Sequence, residues 1–186
     1  MRKFLLPSAL VTMTLPLFVL GCSSNASSPD GGSGDGGGGG AYNPPTSMSP
    51  TVSFVNDVIP VFVQSCAFTS CHNVESGKPL EFLALKDGTP VSQWSNEVYN
   101  GLVNKPTVED PSMSYVKPGD VANSYLARKM DGALSDIASQ CDPNNSLSTQ
   151  NQVGPCGVQM PYNLPPIGDD KRAIVRNWIA QGAKNN

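Results

Sequence analysis

The chain has 186 residues and a formal net charge of −3, with twelve Lys and Arg residues against fifteen Asp and Glu residues. The length is enough for one domain with a single hydrophobic core. Because the basic residues are scattered along the chain, the composition argues against nucleic acid as a partner.

The first 21 residues are predicted to be a secretory signal peptide. Two basic residues precede an apolar run over 4–20 that is too short and too interrupted by proline for a membrane span. The run ends in "VLGC", which resembles a bacterial lipobox. The resemblance implies cleavage before Cys22 and lipidation of that cysteine. Ser23 and Ser24 follow in place of the Asp of an inner-membrane retention signal, so we expect the outer membrane. An ordinary signal peptide cut elsewhere is the alternative.

Residues 22–50 are predicted to be a flexible linker. Eight of the ten residues over 31–40 are glycine, and the segment has no apolar periodicity. A Gly-rich coil of this length has an r.m.s. span of roughly 30 Å, which would hold a lipid-anchored domain clear of the membrane. The folded domain is then expected over 51–186.

The domain is predicted to be mostly α-helical, with long loops between its helices. Apolar residues recur at helical spacing over 54–66, 90–104, 121–132 and 169–182. Asp57 is the candidate N-cap of the first of these helices, and glycines at positions 132 and 182 are the expected stops of the last two. No run alternates over six residues in the way a strand requires. Trp94 and Trp178 are expected in the core.

Four cysteines and one histidine carry the chemistry of the domain. An exported protein meets an oxidising compartment, where unpaired cysteines are a liability. One interpretation is two disulfides, Cys66–Cys71 and Cys141–Cys156. A second is a zinc site of Cys66, Cys71, His72 and a distant cysteine. The third is covalent haem on Cys66 and Cys71, which leaves one disulfide.

The adjacency of Cys71 and His72 favours haem over the other two interpretations. Two thiols can add to the two vinyl groups of a porphyrin while a neighbouring imidazole bonds the iron from one face. The usual spacing for this attachment is C-x-x-C-H. Here four residues, "AFTS", separate Cys66 from Cys71. The two additional residues can bulge outward without moving Cys71 or His72.

Three blocks of the domain resemble class I c-type cytochromes of bacterial envelope lipoproteins. "NDVIPVFVQSCAFTSCH" is similar to the family's first helix and haem motif, and "VKPGDVANSYLARKM" to its middle segment. "MPYNLPPIGDDKRAIVRNWIAQGA" resembles its Met-Pro loop and last helix. The blocks stand in the family's order and span 54–183. The resemblance implies a cytochrome c-like helical fold.

The resemblance also implies the roles of individual residues. Cys66 and Cys71 would be the thioether anchors of one haem c, and His72 the proximal iron ligand. Met160, in "QMP", would be the distal ligand. The competing methionines are Met113 and Met130, of which Met130 is the more typical of a core residue.

Cys141 and Cys156 are the two cysteines that haem attachment would leave over. The segment between them is polar, with Asn, Ser, Gly and Pro and no helical stripe, so it is predicted to be a surface loop. We expect the oxidising compartment to join Cys141 to Cys156, in a bridge that also fixes the loop leading to Met160.

The predicted function is that of a lipid-anchored, mono-haem electron carrier facing the periplasm or the cell exterior. Its partners would be redox proteins of the cell envelope, and it would touch the membrane through its lipid anchor alone. No nucleophile or acid–base set is evident once His72 ligates iron, so no enzyme activity is expected. The alternative is a haem-free, disulfide-stapled lipoprotein that keeps a cytochrome-like fold as a binding or structural module.

Overall fold

The computed structural model describes residues 41–68, 71–72, 91–145 and 154–186. The predicted signal peptide, Cys22 and the linker up to residue 40 lie outside the described residues. Within the described ranges the domain is mostly α-helical and has no β-strand, as the sequence predicts. None of the helices described there has the length and the apolar character needed to cross a membrane.

The helical elements fall on the segments that the sequence predicts as helical, except for a short 3-10 turn that the sequence does not predict. In chain order they are a π-type turn at Phe54–Val58, helix α1 at Ile59–Ser65, α2 at Val91–Leu102, α3 at Tyr125–Asp131, a 3-10 turn at Ser135–Ile137 and α4 at Asp169–Ala180. Long irregular segments join them, with isolated bridges such as Val103–Val116 in place of a sheet.

The first helical segment is capped by Ser53 rather than by Asp57. The Ser53 hydroxyl accepts a hydrogen bond from the Asn56 N–H at 3.2 Å, and the Asp57 carboxylate accepts one from the Ser53 N–H at 2.7 Å. The two side chains therefore satisfy backbone donors reciprocally, in the manner of a capping box. Asp57, the predicted N-cap residue, therefore takes part in the capping, but it lies four residues after Ser53, which occupies the N-cap position.

Helix α3 begins at Tyr125, four residues after the predicted start at Val121, and ends as predicted before Gly132. The N–H groups of Tyr125 and Leu126 donate to the carbonyl oxygens of residues 114 and 115, at 3.1 and 2.9 Å. These bonds satisfy the first-turn donors that a helix leaves without internal partners. Gly132 adopts a φ of 73°, the left-handed conformation that favours glycine after a helix.

An aromatic cluster joins the first helical segment to α2 and α4. The Phe54 ring stacks on Trp178 with ring centroids 4.9 Å apart, and the Tyr99 ring meets the edge of Phe54 at 5.5 Å. Trp94 and Trp178 are both buried, as expected from the sequence. The Trp178 indole N–H donates to the Lys184 carbonyl oxygen at 2.9 Å, so burial leaves this polar group satisfied.

Helices α3 and α4 are joined by a buried ionic network. The Asp131 carboxylate accepts hydrogen bonds from Arg172 at 2.9 Å and from Arg176 at 3.1 Å. Tyr42 donates its hydroxyl to the same carboxylate at 2.6 Å, and the Arg128 guanidinium lies 4.7 Å from the centre of the Tyr42 ring. Removing one partner of such a buried set leaves the other charges uncompensated, which is strongly destabilising.

Residues before Thr51 also contact α4. The Ser47 N–H donates to the Asn177 side chain at 2.6 Å, and the Gln181 amide donates to the Ser47 and Pro50 carbonyl oxygens at 3.0 Å each. The last part of the predicted linker, from Tyr42 to Pro50, therefore lies against the helical domain. The predicted boundary at residue 51 falls inside a segment that makes these contacts.

Candidate haem-attachment site

Backbone hydrogen bonds join Cys66, Cys71 and His72 to one another and to neighbouring residues at the end of α1. The Cys66 and Ala67 N–H groups both donate to the Phe62 carbonyl oxygen, at 2.8 and 3.1 Å, so the helix holds the backbone at the cysteine. The Cys71 N–H donates to the Phe68 carbonyl oxygen at 2.8 Å, and the His72 N–H returns to the Cys66 carbonyl oxygen at 3.2 Å. These bonds bring the backbone of His72 beside Cys66 across the wider spacing. All three candidate residues are half-buried.

The pKa of the Cys66 thiol is set mainly by its burial. Burial, followed by the nearby charge of Cys71, raises the pKa of the Cys66 thiol to about 12. A thiol with such a pKa is almost wholly protonated at neutral pH and is a poor nucleophile. The structure therefore places the Cys66 thiol in surroundings that keep it protonated at neutral pH.

Cys141 and Cys156 are joined by a buried disulfide, with their Cα atoms 5.3 Å apart. The zinc interpretation needs a reduced cysteine from this pair to complete a set with Cys66, Cys71 and His72. The bridge occupies both candidates. Among the residues that the structure describes, no group of three or more His, Cys, Asp or Glu is arranged to hold a metal ion.

The segment after Cys156 is held on α3 from several sides. The Tyr125 hydroxyl donates to the Cys156 carbonyl oxygen at 2.6 Å, and the Lys129 ammonium donates to the Val158 carbonyl oxygen at 3.1 Å. The Met160 N–H then donates to the Lys129 carbonyl oxygen at 2.9 Å. The backbone leading to the predicted distal ligand is thus fixed by helix α3 as well as by the disulfide.

The three candidate methionines differ in burial. Met130 is 3% exposed and Met113 is 7% exposed, and both belong to the hydrophobic core. Met160 is half-buried and lies just past the end of the supported segment. A thioether that must contact a cofactor needs a free face, which the packing of Met113 and Met130 does not leave. Met160 is therefore the least buried of the three, and its assignment as the distal ligand stays a prediction.

Residues in the first turn of α4 contact both the end of α1, next to Cys66, and the end of α3, which holds the residues before Met160. Lys171 donates to the side chain of Gln64, in the last turn of α1, at 3.2 Å. The next residue, Arg172, binds Asp131, the last residue of α3, at 2.9 Å. The ends of α1 and α3 therefore lie beside neighbouring positions of α4. Cys66 directly follows the end of α1, and the Met160 N–H bonds the Lys129 carbonyl oxygen near the end of α3.

Large apolar side chains are exposed in both segments. Phe68, between the two cysteines, is 51% exposed, and Tyr162 and Leu164, just after Met160, are 55% and 59% exposed. An apolar ligand bound at either segment would cover side chains of this kind.

Sequence reasoning missed Lys129 and Tyr125 as supports of the Met160 segment. Lysine is rarely buried, so by residue type Lys129 is expected at the surface. In the structure it is 8% exposed, and burial lowers its pKa while the Glu109 carboxylate, 3.7 Å away, opposes that shift. The i, i+4 spacing of Tyr125 and Lys129 puts them on one helix face, which is the signal that the sequence offers.

Comparison with known proteins gives no relative: no protein family, curated protein or solved structure matches the chain.

Proposed function

We propose that this protein is a lipid-anchored, mono-haem c-type cytochrome that carries electrons in the bacterial cell envelope. The observation that carries the proposal is the backbone hydrogen bond after α1 that the His72 N–H donates to the Cys66 carbonyl oxygen, at 3.2 Å. This bond offsets the wider spacing, because it returns the Cys71–His72 pair to the helix end where Cys66 is fixed. The C-x4-C-H segment can then act as C-x-x-C-H does.

The residues present fit a covalently bound haem. Two half-buried thiols and an imidazole lie in one turn, and a half-buried thioether lies in the segment beside α3. Haem is a flat apolar ring, and its burial would cover exposed apolar groups such as Phe68 and Leu164. The donor set and these apolar side chains are what attachment and burial of haem c require.

Each part of the chain would have a separate task. Cys66 and Cys71 would hold the ring through thioether bonds, and His72 and Met160 would bind the iron from its two faces. The iron would supply the chemistry by accepting and returning one electron. A His/Met ligand pair in a surrounding of low polarity favours a high reduction potential. Helices α1 and α3 would keep the ligands in place, so that little reorganises when the charge on the iron changes.

The packing of the helices supports a cytochrome c-like arrangement. The turn at Phe54–Val58 and helix α3 both pack against α4. A packed helical domain of this kind agrees with the fold class that the resemblance over 54–183 implies, and the finer cytochrome c-like arrangement is part of the proposal.

A haem-free, disulfide-stapled binding or structural module is the second candidate. The observation in its favour is the proximity of the cysteines, since the charge of Cys71 contributes to the raised pKa of Cys66. Two cysteines this near could also join in a local disulfide in an oxidising compartment. In the structure Cys66 carries a thiol.

The mass of the mature protein decides between the candidates. We expect the chain, co-expressed with a cytochrome c maturation system, to gain the mass of one haem that acid–acetone extraction does not remove. The measurement is intact-mass spectrometry together with a haem stain of the denatured protein on a gel. A haem-free mass lower by two hydrogens, with a peptide linking Cys66 to Cys71, would refute the electron-carrier proposal and establish the local disulfide.

The lipid anchor gives an independent prediction about localisation. Cys22→Ala should release the protein from the membrane fraction and leave its haem spectrum unchanged, because Cys22 precedes the domain by the whole glycine-rich segment. Fractionation of cells that express each form, followed by a blot, measures this. Ser23→Ala is the matched control and should stay with the membrane. If the Cys22→Ala protein also stays there, the attachment is not through this cysteine.

A further inference from the structure

We propose that Lys129 is a positioning residue for Met160, the methionine that the proposed function assigns to the iron. Lys129 is the one described residue that bonds this segment at two points. Its ammonium donates to the Val158 carbonyl oxygen at 3.1 Å, and its backbone carbonyl accepts from the Met160 N–H at 2.9 Å. The inference rests on the proposed function for the role of Met160 as an iron ligand. The two contacts of Lys129 do not depend on that proposal.

The ammonium of Lys129 is held in place by groups on its other sides. The Glu109 carboxylate lies 3.7 Å from it, and the centre of the Tyr125 ring lies 5.2 Å away. The lysine and the glutamate are 8% and 6% exposed. A charge in such surroundings is screened little by water, so its hydrogen bond to the Val158 carbonyl is of the stronger, charge-assisted kind.

The chain passes very close to this ammonium, and only glycine fits there. Gly157 has a φ of 67°, and a Cβ atom at this position would overlap with the Lys129 ammonium. Next to it, the side chain of Gln159 packs on Gly132, where a Cβ would come within 2.8 Å of the Gln159 amide oxygen. The segment over 157–160 therefore lies directly on the last turn of α3, with Lys129 beneath it.

A positioned backbone matters for a thioether ligand. Thioether is a weak ligand for iron, and it competes with water or another side chain only if it is held near the metal. The disulfide to Cys141 fixes the segment at Cys156, four residues before Met160. Lys129 bonds the backbone of Val158 and of Met160. The two supports together hold the backbone on both sides of Gln159 and up to the Met160 N–H.

The test is Lys129→Met, which keeps the length of the side chain and removes its ammonium. In the haem-loaded full-length protein we expect the methionine–iron charge-transfer band to weaken and the reduction potential to fall. Hydrogen exchange of the Met160 amide, in the chain as purified, should become about tenfold faster or more, the change expected from loss of a charged hydrogen bond. Exchange of amides in α4 should change much less.

Arg128→Met is the matched control. Arg128 is the neighbouring residue on the same helix, is 7% exposed, and bonds the carbonyl oxygens of Ala122 and Ala133 rather than the Met160 segment. This variant should lower overall stability but keep the charge-transfer band. If both variants lose the band equally, or if Lys129→Met keeps both the band and the slow exchange of Met160, the positioning role is refuted.

A second variant covers the case in which Lys129→Met does not fold. Gly157→Ala keeps the Lys129 ammonium but places a methyl group at the position that the ammonium occupies. This variant should weaken the charge-transfer band and make hydrogen exchange of the Met160 amide faster. An unchanged band and unchanged exchange in Gly157→Ala would count against the proposal. If the wild-type protein gains no haem, the proposed function fails, and the exchange of the Met160 amide still decides whether Lys129 fixes this segment.

Discussion

Replacing Cys71 with alanine should remove most of the covalently bound haem from protein made with a cytochrome c maturation system. Cys71 is adjacent to His72, and the backbone bond from His72 to Cys66 makes the three residues one unit. Without the Cys71 thiol one thioether bond is lost, and the attachment system meets a single cysteine at the end of α1. The haem stain and the intact mass measure the loss. Cys66→Ala should have a similar effect.

The control for this loss is the double variant Cys141→Ser with Cys156→Ser. It removes two cysteines from the same domain and costs stability, about 3 kcal/mol in the chain-entropy estimate for a loop of fifteen residues. It should nevertheless keep the haem mass. His72→Ala should behave differently again, because the thioether bonds can still form while the normal low-spin spectrum is abolished. Haem bound equally by Cys71→Ala and wild type would show that Cys71 is not an attachment point.

Met160→Ala should abolish the methionine–iron charge-transfer band and lower the reduction potential while the haem stays attached. The reason is that Met160 is half-buried at the end of the segment fixed by the disulfide and α3, whereas the other two candidates are packed in the core. Loss of a thioether ligand removes the group that favours the reduced iron. Absorption spectra of the oxidised protein and a redox titration are the measurements.

Two other methionine variants separate ligation from packing. Met130→Ala should keep the band and lower the free energy of unfolding by about 2–5 kcal/mol, the usual cost of emptying a buried site of this size. Met113→Ala should behave in the same way. A band that persists in Met160→Ala and disappears in one of the other two would reassign the distal ligand to that residue.

The helices could be predicted because their signals are local. The apolar spacing over 169–182 and the glycine after α3 act within a few residues, and both agree with the structure. The pairing of Cys141 with Cys156 is expected because the sequence assigns Cys66 and Cys71 to each other or to haem, and the disulfide is present in the structure. The burial of Trp94 and Trp178 follows from their place on apolar helix faces.

Other features depend on contacts between distant parts of the chain, which the sequence does not display. Helix α3 begins at Tyr125 because the carbonyl groups of residues 114 and 115 accept its first N–H groups. Lys129 is buried because Glu109 and the Val158 carbonyl oxygen receive its ammonium. The local sequence pattern shows neither of these contacts. From the pattern alone, helix α3 is expected to begin earlier and Lys129 is expected to be exposed to water.

For the candidate site, the sequence identifies the residues but not their supports. Cys66, Cys71 and His72 stand out because the chain has few cysteines and one histidine. The return of His72 to the Cys66 carbonyl and the hold of α3 on Met160 appear only in three dimensions. Cofactor chemistry restricts the types of residue at a site, whereas many different neighbours can hold such residues in place.

The contacts of Tyr42 bear on how the domain should be produced for experiments. A recombinant chain that starts at Thr51, where the sequence places the domain boundary, would lack the hydroxyl that binds Asp131 and the ring that covers Arg128. It would also lack Ser47, whose N–H and carbonyl groups bond Asn177 and Gln181 on and just after α4. Truncation at that point would leave buried charges with fewer partners and open one side of α4 to solvent. A recombinant chain that starts after Cys22 should therefore retain the residues from before Tyr42.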